Sequence, residues 1–162
     1  MRKVSIVILA TIVILSFSKH VRAEKSQWSL DIFGVSWHEE GKMRAHANQI
    51  NPGIGLRYDL NDNWYLEGAY ILKNSVRGKT AALGVGWHTE VAKINTDHSL
   101  KLGIQMMAMD YTTPHKKTKD GFVPALTAEY GFNKNITGVV YFFLDPGKCV
   151  VFGGVNYHFK GI

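Results

Sequence analysis

Apolar and polar residues alternate along most of the chain after residue 26. In the segment 80–88, the odd-numbered positions are Ala, Leu, Val and Trp, and the even-numbered positions are small or polar. The segments 63–73 and 100–109 show the same alternation. A repeat of two residues is the period of a β-strand with one apolar face, and a helix would show a longer one. The pattern therefore predicts strands.

Eight such segments can be counted, and we predict strands at 27–37, 52–60, 63–73, 79–90, 99–111, 121–132, 135–145 and 148–159. Strands of about ten residues with one apolar face are typical of membrane-spanning barrels, because closure pairs every backbone group. The prediction is an all-β fold: an eight-stranded antiparallel transmembrane β-barrel. A soluble β-sandwich or lipocalin-like barrel is the alternative. Aromatic residues at strand ends favour the membrane barrel, because such barrels carry aromatic girdles at the membrane interfaces. The residues are Trp28, Trp64, Trp87, Tyr157 and Phe159.

The first 23 residues have the pattern of a secretory signal peptide. Arg2 and Lys3 precede an apolar run from Val4 to Phe17, and Val21-Arg22-Ala23 is a usable cleavage site. The run is short for a transmembrane helix, although an uncleaved anchor is the alternative. We therefore predict a signal peptide at 1–23, a barrel domain at 24–162, and export to the outer membrane of a Gram-negative bacterium.

The net charge changes when that segment is set aside. The whole chain carries a formal charge of +6, but residues 1–23 hold four basic and no acidic residues. The remainder has 15 basic and 13 acidic residues, a charge of +2, so nothing suggests nucleic-acid binding. The single cysteine, Cys149, excludes an internal disulfide, and the histidines lack metal-ligand spacing. We expect no metal and no soluble cofactor.

The predicted interior divides into two halves. The half nearer the chain termini is polar, with Arg57 and Lys101 available to Asp31, Glu67 and Glu129. The other half is apolar and rich in small residues, which suits a hydrocarbon chain, although a well-filled apolar core is the alternative. The predicted acyl-chain pocket consists of Trp37, Gly55, Ala69, Ala82, Gly84, Met107 and Met109. Strict alternation in the first strand places Val35 and Trp37 inside.

The predicted outer loops are rich in basic residues, among them Lys42, Arg44, Lys116 and Lys117. A cationic rim suits the phosphorylated lipid of an outer leaflet. Ordinary solvated loop charge is the alternative.

Several short motifs are spread over most of the predicted barrel: Ser36-Trp37-His38, Asn51 to Leu56, Asn63 to Tyr70, Lys73-Asn74-Ser75, Gly84 to Trp87, Val123 to Leu126 and Leu144 to Gly147. Together they resemble the lipid A palmitoyltransferase family of the Gram-negative outer membrane. The resemblance implies an eight-stranded barrel that moves a palmitoyl-type chain from a phospholipid to lipid A. It also implies a monomer whose partners are phospholipid and lipopolysaccharide.

The resemblance also implies catalytic residues. The family's active-site histidine and its Asp-Ser pair correspond to His38, Asn74 and Ser75 in this chain. His38 would be the base and Ser75 a hydroxyl partner. Asn74 replaces the aspartate, so it would act as a neutral orienter or an oxyanion donor, and Glu39 or Glu40 could supply the carboxylate. A lipid A deacylase and a non-enzymatic structural or interaction barrel are the alternative functions.

Overall fold

The computed structural model describes residues 27–38, 48–112, 121–145 and 148–159. The predicted signal peptide, the acidic pair Glu39 and Glu40, and the basic residues around Lys42 and Lys117 lie outside these ranges. Within the described ranges, no helix has the length and apolarity to cross a bilayer.

Eight antiparallel strands form one closed barrel. The strands are β1 (Trp28–His38), β2 (Ile50–Asp59), β3 (Trp64–Ile71), β4 (Thr80–Lys93), β5 (Ser99–Tyr111), β6 (Gly121–Gly131), β7 (Ile136–Asp145) and β8 (Lys148–His158). Each strand pairs with its neighbours in sequence, and β1 also pairs with β8, which closes the ladder. The predicted fold class is confirmed, and every predicted strand overlaps an observed one.

The two ends of the barrel have different connections. At the end that carries residues 27 and 159, here called the turn end, the connections 60–63, 94–98 and 132–135 are tight turns. Each turn is built in the same way, because Asn61, Asn95 and Asn133 each accept hydrogen bonds from two backbone N–H groups that follow. Asparagine favours such turns because its side chain bonds its own backbone locally. The opposite end, here called the loop end, carries the connections 39–49, 72–79, 112–120 and 146–147.

The barrel is apolar outside and largely polar inside. Large apolar side chains such as Ile54 (53% exposed), Leu83 (59%) and Phe122 (70%) project from the outer wall. Charged and polar side chains such as Arg57, Glu67 and Gln105 are buried within. This inversion is stable only where the surroundings are themselves apolar, as in a bilayer.

Three groups of side chains can be distinguished along the described interior. A mouth cluster of uncharged polar residues lies at the loop end and comprises Ser36, His38, Asn51 and Ser75. An apolar layer below it contains Phe33, Ile71, Val139 and Tyr141, with Ala69, Phe143 and Phe152 packed against them. A charged cluster toward the turn end comprises Arg57, Asp59, Tyr65, His88 and Glu129.

The first strand differs from the prediction because it contains a β-bulge. The register of β1 shifts between Phe33 and Val35 against both neighbouring strands. Against β8, Gly34 is the extra residue, because Phe33 and Val35 pair with the successive residues Gly154 and Gly153. A bulge of this kind exchanges the inner and outer faces beyond it. The prediction that Val35 and Trp37 face inward was therefore wrong: they are 60% and 49% exposed on the outer wall.

Candidate functional site

The mouth cluster brings together a histidine and two hydroxyl groups. Nε2 of His38 lies 2.7 Å from Oγ of Ser75 and 3.3 Å from Oγ of Ser36. The two hydroxyl oxygens are 3.4 Å apart. All three side chains are buried, with at most 8% of their surface exposed. The distance to Ser75 is that expected of a base and the hydroxyl it deprotonates.

His38 points inward because of the bulge at Gly34. It is the last residue of β1 and pairs with Val150 of β8. Without the extra residue, positions 36 and 38 would face the lipid, since neighbouring residues on a strand point to opposite faces. The bulge therefore creates the site. Such irregularities are common next to functional sites because they redirect a side chain.

Ser75 is held by the connection between β3 and β4. Its carbonyl accepts a hydrogen bond of 2.7 Å from the N–H of Asn48, which joins this connection to the residues before β2. Two residues later, Arg77 has a φ of 66°, in the left-handed region that costs a non-glycine residue about 1–2 kcal/mol. The fixed, strained loop sets the direction of the Ser75 side chain.

Asn74 organises this loop rather than contacting His38. Its Oδ1 accepts hydrogen bonds from the N–H groups of Val76 (3.1 Å) and Gly78 (2.8 Å). Its Nδ2 lies within 3.1 Å of three acceptors, the carbonyls of Lys79 and Thr112 and the hydroxyl of Thr80. An amide can serve both sides at once because it donates and accepts, whereas a carboxylate only accepts. This explains why asparagine suits a position where the resembled family has aspartate.

Three members of the site were missed from the sequence: Ser36, Asn51 and Tyr111. Nδ2 of Asn51 donates a 2.6 Å hydrogen bond to Oγ of Ser36. Tyr111, at the end of β5, makes side-chain hydrogen bonds with Ser75 and with the backbone of Val76. The sequence did contain one signal for Ser36: the inward polar residues of β1 change from odd to even numbers across Gly34.

The hydrogen bonds limit where the protons lie. Because Asn51 donates to Ser36, the Ser36 hydroxyl directs its own hydrogen to His38 or to Ser75. Nε2 of His38 can accept from either hydroxyl when it carries no proton. In the described residues no carboxylate bonds to His38, and Glu39 and Glu40 lie outside them. The described arrangement is thus a histidine–serine pair supported by an amide and a phenol.

The predicted pocket residues lie in the apolar layer and beside it, except for Trp37 on the outer wall. Gly55 and Gly84 do face inward, but neighbouring side chains approach them closely. A Cβ atom on Gly55 would lie 3.0 Å from the Phe33 ring, and one on Gly84 would lie 3.1 Å from Cγ of Met107. The rings of Phe33, Phe143 and Phe152 pack together above them, with centroids 5.4 and 6.5 Å apart.

The charged cluster seals the barrel toward the turn end. Arg57 donates to Glu129 (3.0 Å) and Asp59 (2.9 Å), and its guanidinium lies 3.6 Å from the centroid of the Tyr65 ring. Nδ1 of His88 is 3.0 Å from both Arg57 and Glu129. Lys101 also reaches His88, at 3.3 Å. Of the interior charge pairs expected from the sequence, the one between Arg57 and Glu129 is present.

A closed ladder with an apolar outer wall and a polar interior defines a transmembrane β-barrel of the outer-membrane class. The predictions of fold class and of an outer-membrane barrel are thereby confirmed. No group of three or more His, Cys, Asp or Glu side chains arranged for a metal ion occurs among the described residues.

Solved structures share this architecture at low sequence identity. A de novo designed transmembrane β-barrel matches with a TM-score of 0.55 and 13% identity, over 86% of this chain and 100% of the designed one. The N-terminal barrel domain of Pseudomonas aeruginosa OprF matches with a TM-score of 0.49 and 16% identity, over 83% and 98%. The Yersinia pestis outer membrane protein Ail, solved in a phospholipid bilayer nanodisc, gives 0.40 and 16%, over 83% and 100%.

The similarity to the designed barrel supports the fold and says nothing about function. We draw no conclusion from the other two similarities. No protein-family model and no curated protein matches the chain.

Proposed function

We propose that the protein is an outer-membrane acyltransferase that moves a fatty acyl chain from a phospholipid to lipid A. The observation that carries the proposal is the 2.7 Å contact between Nε2 of His38 and Oγ of Ser75. A signal peptide at 1–23 would export the chain, and the loop end would face the cell exterior. Short turns inside and longer connections outside are the usual arrangement of such barrels.

In this proposal, His38 is the general base. It accepts a proton from a hydroxyl group, which attacks the ester carbonyl of the phospholipid, and it returns the proton to the leaving oxygen. Either Ser75 forms an acyl-enzyme, or Ser75 only aligns His38 and the lipid A hydroxyl attacks directly. Ser36 helps to hold His38 and Ser75 together, since it contacts both, and Asn51 donates a hydrogen bond to Ser36.

The position of the site supports a lipid substrate. His38 ends its strand at the loop end, where the outer wall still presents Trp37 and Ile50 to the membrane. An ester bond at the membrane–water interface would lie at this height, because aromatic girdles mark the interface in such barrels. The proposed partners are therefore phospholipid and lipopolysaccharide, and the proposed unit is a monomer.

Where the acyl chain lies is a separate part of the proposal. The sequence predicts an interior pocket at Gly55, Ala69, Ala82, Gly84, Met107 and Met109. Phe33 and Met107 pack closely against the glycines, so an acyl chain that enters this pocket must displace side chains. The Gly84 variant in the Discussion tests this.

Mass spectrometry of lipid A tests the activity. Cells that express the wild type should yield lipid A heavier by one acyl chain, and His38→Ala and Ser75→Ala should abolish the increase. His98→Ala is the matched control, because His98 lies in a turn at the opposite end and its imidazole bonds Tyr130, far from the mouth cluster.

The other outcomes identify the alternatives. Lipid A that loses a chain in a His38-dependent way would show a deacylase, with water as the acceptor. Lipid A of unchanged mass, with all variants folded, would contradict both enzyme functions. The non-enzymatic barrel would then be the better interpretation, with Asn74 serving only to fix the loop.

A further inference from the structure

Five buried side-chain oxygens of the described residues have no hydrogen-bond partner. One is the hydroxyl oxygen of Thr127, and the other four are carboxylate or amide acceptors: Oδ2 of Asp31, Oε1 of Glu67, Oε1 of Gln105 and Oδ1 of Asn156. Each of the four residues is at most 3% exposed. A buried acceptor left without a donor costs roughly 1–3 kcal/mol, so four together call for a partner.

The four residues form two carboxylate–amide pairs. Nδ2 of Asn156 donates to Oδ1 of Asp31 (2.7 Å), and Nε2 of Gln105 donates to Oε2 of Glu67 (3.2 Å). Each amide thus fixes one carboxylate through its nitrogen and leaves its own oxygen free. The two pairs are neighbours across β2, since Gly55 pairs with Asp31 on one side and on the other with Ala69, the next inward residue to Glu67 on β3.

No basic side chain neutralises these two carboxylates. Among the described residues, neither Asp31 nor Glu67 forms an ion pair, because Arg57 is directed to Asp59 and Glu129. Ionised carboxylates that are buried without a counter-ion are costly. The missing partner must therefore be positively charged or a proton.

Glycines border the two pairs. Gly55 pairs with Asp31 across the β1–β2 ladder, and Gly84 pairs with Glu67 across the β3–β4 ladder. A Cβ atom on Gly55 would lie 3.1 Å from Cβ of Asp31, and one on Gly84 would lie 3.1 Å from Nε2 of Gln105. A side chain at either position would press on the carboxylate–amide pairs.

We propose that Asp31, Glu67, Gln105 and Asn156 bind one hard divalent cation of the Ca²⁺ class. Carboxylate and amide oxygens are the ligands such ions prefer, and water completes their shell. Two carboxylates also match the charge of a divalent ion. The charged cluster closes the site toward the turn end and the apolar layer closes it toward the loop end. The ion is therefore enclosed when the barrel folds.

The test is to refold the purified protein from urea into detergent micelles, with Ca²⁺ or with a chelator. Free ions are then removed, and bound metal is measured by elemental analysis. The wild type refolded with Ca²⁺ should retain about one ion per chain, and it should unfold at a higher temperature than the chelator sample. The double variant Asp31→Asn/Glu67→Gln should retain none and should not respond to Ca²⁺.

Two further variants sharpen the result. Gln105→Met keeps both carboxylates and should weaken retention without abolishing it. Glu90→Gln/Asp110→Asn removes two exposed carboxylates and should behave as the wild type. Folding of each variant is checked by its mobility in unheated detergent gels, so a failure to fold is not mistaken for lost binding.

Either of two results would overturn the proposal. The first is a wild type that retains neither Ca²⁺ nor Mg²⁺ and melts at the same temperature with and without them. The second is equal retention of the ion by the wild type and the double variant. If the first result is found because the carboxyl groups share a proton instead, the double variant should be more stable than the wild type. The measurement does not depend on lipid A chemistry, and His38→Ala should retain the ion.

Discussion

The charged cluster and the mouth cluster are both buried and polar, yet their contacts differ in kind. In the charged cluster, Arg57 is paired with two carboxylates, contacts His88 and is stacked on the Tyr65 ring. In the mouth cluster, His38, Ser36 and Ser75 bond to one another without any charge in the described residues. Opposite charges fix each other and seal the barrel. Neutral hydroxyls beside an imidazole can exchange protons with it, and general-base catalysis requires such an exchange.

The largest expected effect concerns the charged cluster. Arg57→Met would leave Glu129 buried without its cation, and breaking such a buried pair costs about 3–5 kcal/mol. Urea unfolding of the refolded barrel should show this loss. Lys134→Met, in an exposed turn at the same end, is the control and should change stability little.

A second variant checks the cause of that effect. Adding Glu129→Gln to Arg57→Met removes one of the stranded charges and should recover part of the stability. If the double variant is as unstable as the sum of both single variants, lost packing rather than unpaired charge is the cause.

The next effect concerns the loop that carries Ser75. Asn74→Asp keeps both acceptor contacts but replaces the donor Nδ2 with an oxygen that faces the carbonyls of Lys79 and Thr112. We expect a loss of about 1–3 kcal/mol and faster proteolysis of the connection 72–79. A variant that gains lipid A acylation would instead show that the position acts on His38, as the resembled family implies.

The apolar layer that separates the two clusters can be tested at Gly84. Gly84→Met should lower the melting temperature, since overpacking costs about 1–3 kcal/mol. If an acyl chain enters the interior, the variant should also transfer shorter chains, because it raises the floor of the pocket. A lower melting temperature with unchanged selection of acyl-chain length would contradict the interior pocket. The apolar layer would then be a filled core.

The smallest stability effect is expected in the mouth cluster. Ser75→Ala removes one neutral hydroxyl next to His38, which should cost only about 1 kcal/mol. The same variant should abolish acylation of lipid A, so stability and activity separate at this position. A loss as large as that of Arg57→Met would show that the mouth cluster is structural.

The strands and their faces could largely be predicted from the sequence. Lipid on one side and a filled lumen on the other impose a period of two on every spanning strand, and the period is visible in the residues themselves. The tight turns also follow from local residues, because Asn61, Asn95 and Asn133 each bond the backbone N–H groups directly after them. These features depend on neighbours in sequence.

The candidate site depended on contacts between distant residues. His38 and Ser75 are 37 positions apart, and their 2.7 Å contact follows from the register of the closed barrel. The family resemblance proposed the two residues, but it gave neither Ser36, Asn51 nor Tyr111. Those side chains reach the site from three different strands.

The sequence by itself determined an eight-stranded barrel with an apolar wall, because alternation is a local property of each strand. Only the tertiary structure decided which way the end of β1 faces. One extra residue at Gly34 turns His38 inward and Trp37 outward. The bulge is defined by the pairing of β1 with β8, and these two strands meet only when the barrel closes.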